Sequence, residues 1–78
     1  MKQYVTFGRA HVHRVNGITF DADSVATFDA TNAVEGRAKA FELFGPKFCM
    51  HYAGDQFRPD DMLPYFPRGL VQVDSHDQ

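Results

Sequence analysis

The stretch RAHVHRVNGITFDADS, residues 9–24, decides the fold of the first part of this 78-residue chain. Its Asn16-Gly17 pair is typical of a type I′ turn, in which both central residues adopt positive φ angles. Such a turn places Val15 opposite Ile18, and every further pair of facing residues then has numbers that sum to 33. We therefore predict a long antiparallel hairpin over residues 3–30, unless a bulge in DADS changes the register.

This register divides the hairpin into an apolar and a polar face. The first face gathers most of the large apolar side chains and the second is mostly polar, as expected of a half-buried antiparallel sheet. The predicted pairs on the apolar face are Val5–Phe28, Phe7–Ala26, Arg9–Ser24, His11–Ala22, His13–Phe20 and Val15–Ile18.

An amphipathic helix is predicted over residues 32–44. Asn32 followed by Glu35 resembles a capping box, and the Gly45-Pro46 pair is a typical helix stop. Gly36 interrupts this helix at a cost of about 1 kcal/mol relative to alanine, and the sequence offers no reason for it. The side chains predicted to face the core are those of Ala33, Val34, Ala38, Ala40, Phe41 and Phe44.

The rest of the chain completes a single small domain over residues 1–78. KFCMHY predicts a strand at 47–52, an ordered loop follows at 53–69, and LVQV predicts a last strand at 70–73 before a frayed tail at 74–78. The expected fold class is therefore α+β in the order β-β-α-β-β. One helix would pack on a mainly antiparallel sheet of three to four strands.

Composition limits the classes of function. With 44% hydrophobic and 23% charged residues, the chain is typical of a globular protein, and its single cysteine fits a reducing cytoplasm. The start, MKQYVTFGRA, lacks the apolar region of a signal peptide, and no apolar run approaches the roughly 20 residues of a membrane span. A net charge of −2 with scattered basic residues makes direct nucleic-acid binding the least favoured alternative.

Four side chains form a candidate zinc site. His11 and His13 share one strand face, and Cys49 and His51 share another, so two converging pairs would supply one thiolate and three imidazoles. The competing interpretation places both hairpin histidines beside the core, hydrogen-bonded or partly exposed. No cofactor is expected under that second interpretation.

Asp21, Asp23 and Asp29 lie on the polar face of the predicted hairpin and would form an acidic ribbon. An acidic surface of this kind suits a basic groove on a partner protein, including one that normally holds nucleic acid. The simpler interpretation is a solvated strand face.

The loop FRPDDMLPYFPRG, residues 57–69, is the second candidate binding surface. Arg58, Tyr65, Phe66 and Arg68 belong to the residue types that dominate protein interfaces, although the aromatic pair could instead close the end of the core. The chain has no nucleophile elbow, no phosphate-binding glycine loop and no HExxH motif, so we expect a non-enzyme.

The string YVTFGRAHVHRVNGITFDADSVATFDA…GRAKAFELFGPKFC…YFPRGLVQV resembles a type of small phage- or prophage-encoded protein with no settled function. In build it is also similar to phage anti-defence proteins such as anti-CRISPRs. This resemblance implies a non-catalytic protein that binds a host protein and blocks it, with a CRISPR or other defence complex as the specific case. A homodimer is an alternative way to cover an exposed strand edge.

Overall fold

The computed structural model describes residues 1–9, 12–15 and 17–73, and it has the predicted α+β class. The elements are β1 (Lys2–Thr6), β2 (His13–Val15), β3 (Ile18–Phe20), β4 (Ser24–Asp29), α1 (Ala33–Phe44), β5 (Met50–Ala53), α2 (Pro59–Met62) and β6 (Gly69–Gln72). Two 3₁₀ turns, Gly54–Gln56 and Leu63–Tyr65, flank α2. Four strands form one mixed sheet in the order β5-β1-β4-β6, and two short strands form a separate ribbon, β2-β3.

The tip of the hairpin has the predicted register. Val15 faces Ile18 and His13 faces Phe20, so the paired numbers sum to 33. Gly17 has a φ of 81°, which is the left-handed conformation that the turn requires and that glycine adopts without strain. Asn16, the other turn residue, lies outside the described residues.

The base of the hairpin has a different register, so the prediction of one continuous hairpin was wrong. Val5 faces Ala26 instead of Phe28, and the paired numbers sum to 31. The shift arises because residues 7–12 separate β1 from β2, whereas only residues 21–23 separate β3 from β4. A shift of two residues keeps every side chain on its face. The predicted apolar face is therefore the one that carries the core.

Helix α1 covers that face of the sheet. Phe44, in its last turn, packs edge-on against Phe7 and Phe20, with ring centroids 4.9 and 5.7 Å away. One helix thus joins the four-stranded sheet and the hairpin ribbon in a single core. The buried members of this core are Val5, Phe7, Phe20, Ala26, Phe28, Ala40, Phe44 and Val73.

The ends of α1 are set by local hydrogen bonds, as predicted. Asn32 Oδ1 accepts the amide of Glu35 at 2.9 Å, and Glu35 Oε1 accepts the amide of Thr31 at 2.7 Å. The first bond satisfies an amide that the first helical turn leaves without a partner, and the second holds the chain just before the helix. At the other end the amide of Gly45 donates to Phe41 O at 2.7 Å.

The buried face of α1 differs from the predicted one. Gly36, Ala40 and Phe44 face the sheet, whereas Val34 is 81% exposed and Phe41 is 43% exposed. The reason lies at Gly36, where a Cβ atom would overlap with Oε1 and Cδ of the Gln3 side chain. Gln3 is fully buried between sheet and helix, so only glycine permits this approach.

The remaining strands fall near their predicted positions with two differences. The strand predicted at 47–52 begins at Met50 and ends at Ala53, and the last strand pairs with β4 in a parallel sense, with Val25 facing Leu70. The sheet is therefore mixed. On its second face the rings of Tyr4 and Phe57 stack at 4.4 Å, so the predicted loop contributes to packing. The predicted tail, residues 74–78, lies outside the described residues.

Candidate functional site

The three aspartates of the predicted acidic ribbon do not lie on one strand face. Asp21 and Asp23 occupy the turn between β3 and β4, where the hairpin register changes. Asp29 ends β4 and pairs with Lys2 at 3.8 Å. Asp29 is five steps along the extended strand from Ser24, which amounts to about 17 Å. The structure therefore divides the ribbon into two separate acidic positions.

The turn at 21–24 is held by its own polar groups. Asp21 Oδ1 accepts the amide of Asp23 at 3.0 Å, and the Asp21 carbonyl accepts the amide of Ser24 at 3.2 Å. The buried Ser24 hydroxyl accepts the Asp21 amide at 3.1 Å. An aspartate that bonds to the backbone two residues on is typical of a tight turn. The Asp21 carboxylate is thus held by the backbone of its own turn.

Arg68 joins this turn to the segment that precedes β6. Its backbone amide donates to Asp23 O at 2.8 Å, and its Nη1 lies 3.6 Å from Asp21 Oδ2. Both oxygens of Asp21 are therefore engaged, whereas the Asp23 side chain is exposed. A half-exposed ion pair of this kind adds at most about 1 kcal/mol to stability, so its main effect is to orient the guanidinium.

Two aromatic residues precede Arg68 in the chain. Tyr65 is 76% exposed and Phe66 is half-buried. The Phe66 amide donates to Leu63 O at 2.9 Å, and the Gly69 amide donates to Phe66 O at 2.8 Å, so two successive turns fix this segment. We define Asp21, Asp23, Tyr65, Phe66 and Arg68 as the corner surface.

The two remaining predicted binding residues lie elsewhere. Arg58 precedes α2 and pairs with Asp61 at 3.4 Å, where both side chains are largely exposed. Asp29 lies at the far end of β4 beside Lys2. Of the seven predicted binding residues, the structure joins Asp21, Asp23 and Arg68 by direct contacts. Tyr65 and Phe66 lie close to Arg68 in the chain, and Arg58 and Asp29 lie apart from this group.

Two residues of the predicted zinc site, His13 and His51, have other partners. His13 packs against Phe7 and Phe44, and its Nε2 donates to the Lys47 carbonyl at 2.6 Å. Cys49 is exposed. Over residues 1–9, 12–15 and 17–73 there is no group of three or more histidine, cysteine or acidic side chains that could hold a metal ion. His11 lies outside the described residues, so its part of the predicted site stays a prediction.

His51 belongs to a buried polar network that the sequence did not predict. Its Nε2 donates to Gln3 Oε1 at 2.7 Å, and Gln3 Nε2 donates to the Met1 and Asn32 carbonyls at 3.3 Å. Burial, and secondarily the charge of Arg37, hold the pKa of His51 below its ordinary value. The unexplained glycine of α1 was the one sequence signal for this network.

No helix among the described residues combines the length and apolar character that crossing a membrane requires. Comparisons of the chain with protein-family models, with curated proteins and with solved structures found no match.

Proposed function

We propose that this chain is a non-catalytic accessory protein of a phage or mobile element, which binds a host protein through the corner surface and blocks it. The observation that carries the proposal is Tyr65, which is 76% exposed three residues before the oriented guanidinium of Arg68. Tyrosine and arginine are among the residues that most often dominate the binding energy of an interface.

The corner surface is suited to binding because its backbone and the Asp21–Arg68 pair are already held in place before a partner docks. The Arg68 amide is bonded to the Asp23 carbonyl, and Asp21 holds both the Asp23 amide and the Arg68 side chain. Pro64 and Pro67 restrict the backbone on either side of the aromatic pair. Such preorganisation lowers the entropic cost of association, which otherwise consumes much of the contact energy.

The charges of the corner surface indicate the chemistry of the partner. The Asp23 carboxylate is exposed and free of the turn's internal bonds, so a basic position on the partner would complement it. Protein grooves that hold nucleic acid carry many such positions. We therefore propose a nucleic-acid-binding subunit of a CRISPR or other defence complex as the specific partner.

The test is capture of a host protein by the tagged full-length chain, followed by measurement of affinity for the captured protein. Tyr65→Ala combined with Asp23→Lys is expected to weaken that affinity by 100-fold or more, because it removes the aromatic contact and reverses the free charge. Asp60→Lys is the matched control, since it reverses an exposed acidic residue of α2. Equal affinity for the double variant and the control would exclude the corner surface.

A further inference from the structure

Strand β5 forms one edge of the sheet, and its outer side has no strand neighbour among the described residues. The Ala53 amide donates to Gln56 Oε1 at 2.9 Å, so it points away from β1. Because backbone direction alternates along a strand, the peptide groups of His51 also point outward. Gln56 already occupies the Ala53 amide, so the His51 amide is the outward donor that remains for an added strand. The sequence of β5, MHYA, contains no lysine, proline or acidic residue of the kind that protects strand edges.

Helix α1 presents an apolar flank on the same side of the molecule. The Phe41 ring packs edge-on against Phe48, just before β5, with ring centroids 5.2 Å apart. The Arg37 guanidinium lies 5.1 Å from the centre of the Phe41 ring, and Val34 is exposed two turns before Phe41. The opposite flank faces β4, since Lys39 Nζ donates to Asp29 O at 3.2 Å.

The outer edge of β5 and the α1 flank of Val34, Arg37, Phe41 and Phe48 together form the β5 groove. A strand added to this edge would lie about 4.8 Å beyond β5, and every second side chain would turn toward α1. Main-chain hydrogen bonds would then supply affinity and the α1 flank would supply specificity, as in other complexes formed by strand addition.

We propose that the β5 groove binds an extended segment of another protein as an added strand. Apolar side chains of this segment would contact Val34 and Phe41, and an acidic side chain would pair with Arg37. Arg37 takes part in none of the ion pairs found among the described residues, and its guanidinium lies over the Phe41 ring, where it could pair with a carboxylate of the added strand.

Charge favours such a segment over a second copy of the chain as the occupant. Two copies that paired β5 with β5 about a two-fold axis would place their α1 flanks against each other. The flank that carries the Arg37 guanidinium would then face the same flank of the other copy. Like charges brought together in this way disfavour the pairing, whereas an acidic segment complements it.

The β5 groove is independent of the proposed function. It lies at one edge of the sheet, whereas the corner surface adjoins β6 at the other edge. Loss of binding at one site therefore leaves the other site available for measurement in the same protein.

The test uses nine-residue peptides selected from a random display library on the folded full-length chain, then synthesised with a fluorescent label. We expect the selected sequences to alternate apolar residues with an acidic residue. Arg37→Glu should weaken their binding at least 10-fold, whereas Arg58→Glu, which reverses an exposed arginine at α2, should leave it unchanged. Phe41→Ala gives a second, uncharged test of the same flank, and thermal melting confirms that each variant is folded.

Backbone N-methylation of the selected peptide distinguishes strand addition from general apolar contact. Methylation at alternate residues that face β5 should abolish binding, and methylation at the intervening residues should leave it intact. The proposal is overturned if both methylated peptides bind equally, if no alternating acidic sequence is selected, or if Arg37→Glu has no effect. It is also overturned if sedimentation shows a dimer that Arg37→Glu or Phe41→Ala dissociates.

Discussion

Replacement of Gly36 with alanine tests whether the buried Gln3 network determines how α1 lies on the sheet. Helix propensity alone predicts that Gly36→Ala stabilises the protein by about 1 kcal/mol. The structure predicts the opposite, because the added Cβ would overlap with Oε1 and Cδ of Gln3. Gln3 is fully buried, so its side chain has no solvent-filled space into which it could move.

The size of the effect follows from the bonds that Gln3 would lose. Its side chain donates to the Met1 and Asn32 carbonyls and accepts from His51. Loss of two or three such bonds costs about 1 kcal/mol each, and more where a buried group is left without a partner. After the gain in propensity of about 1 kcal/mol, we expect Gly36→Ala to lower the free energy of unfolding by about 1–2 kcal/mol.

Urea denaturation at neutral pH measures this difference, and Ala38→Gly provides the matched control. Ala38 is exposed in the middle of the same helix, so the control measures helix propensity without any contact to the sheet. It should destabilise the protein by about 1 kcal/mol. If Gly36→Ala instead raised stability by as much as Ala38→Gly lowers it, the Gln3 network would contribute nothing to the position of α1.

Three further predictions follow from other contacts. The pKa of His51 in the folded protein lies below the ordinary 6.5, so near that pH the unfolded chain binds more protons than the folded one. The stability present above about pH 6.5 is therefore lost as the pH falls below this value. His51→Gln should flatten this part of a urea-midpoint profile between pH 7.5 and 5, and an unchanged profile would contradict the assignment. Asn32→Ala should cost about 1 kcal/mol in the same assay, because the Glu35 amide loses its acceptor. EDTA should leave the melting temperature unchanged, whereas a zinc site involving His11 would lower it on chelation.

The features that sequence predicted well depend on short-range interactions. The Asn-Gly turn fixes the tip register because the pairs nearest a tight turn are determined by its geometry, and Val15 does face Ile18. Asn32 and Glu35 cap α1 through bonds to amides within four residues. The side chains of the hairpin stay on their predicted faces despite the change of register, because a shift of two residues preserves the alternation of side chains between the two faces.

The features that sequence did not predict depend on contacts between distant segments. The apolar pattern of α1 predicts that Val34 and Phe41 face the core, but both are exposed. The side of the helix that faces the sheet depends instead on the contact of Gly36 with Gln3, which is 33 residues away in the chain. Asp21 and Asp23 lie in a turn instead of on the polar strand face, because the segment between β1 and β2 is longer than the segment between β3 and β4. The position of the corner surface depends on the parallel pairing of β6 with β4, which no local pattern encodes.

The buried face of α1 differs from the predicted face, and this difference places apolar side chains in the β5 groove. A domain of this size has few large apolar side chains with which to build a core, and the burial of each contributes about 1.5–3 kcal/mol. Because Gly36 and Ala40 face the sheet, the side chains of Val34 and Phe41 lie outside the core, on the flank beside β5. Val34→Ser should therefore change the free energy of unfolding by less than about 0.5 kcal/mol, as expected at an exposed surface position. The same substitution should weaken peptides bound at β5, so stability and binding would respond to different residues of one helix.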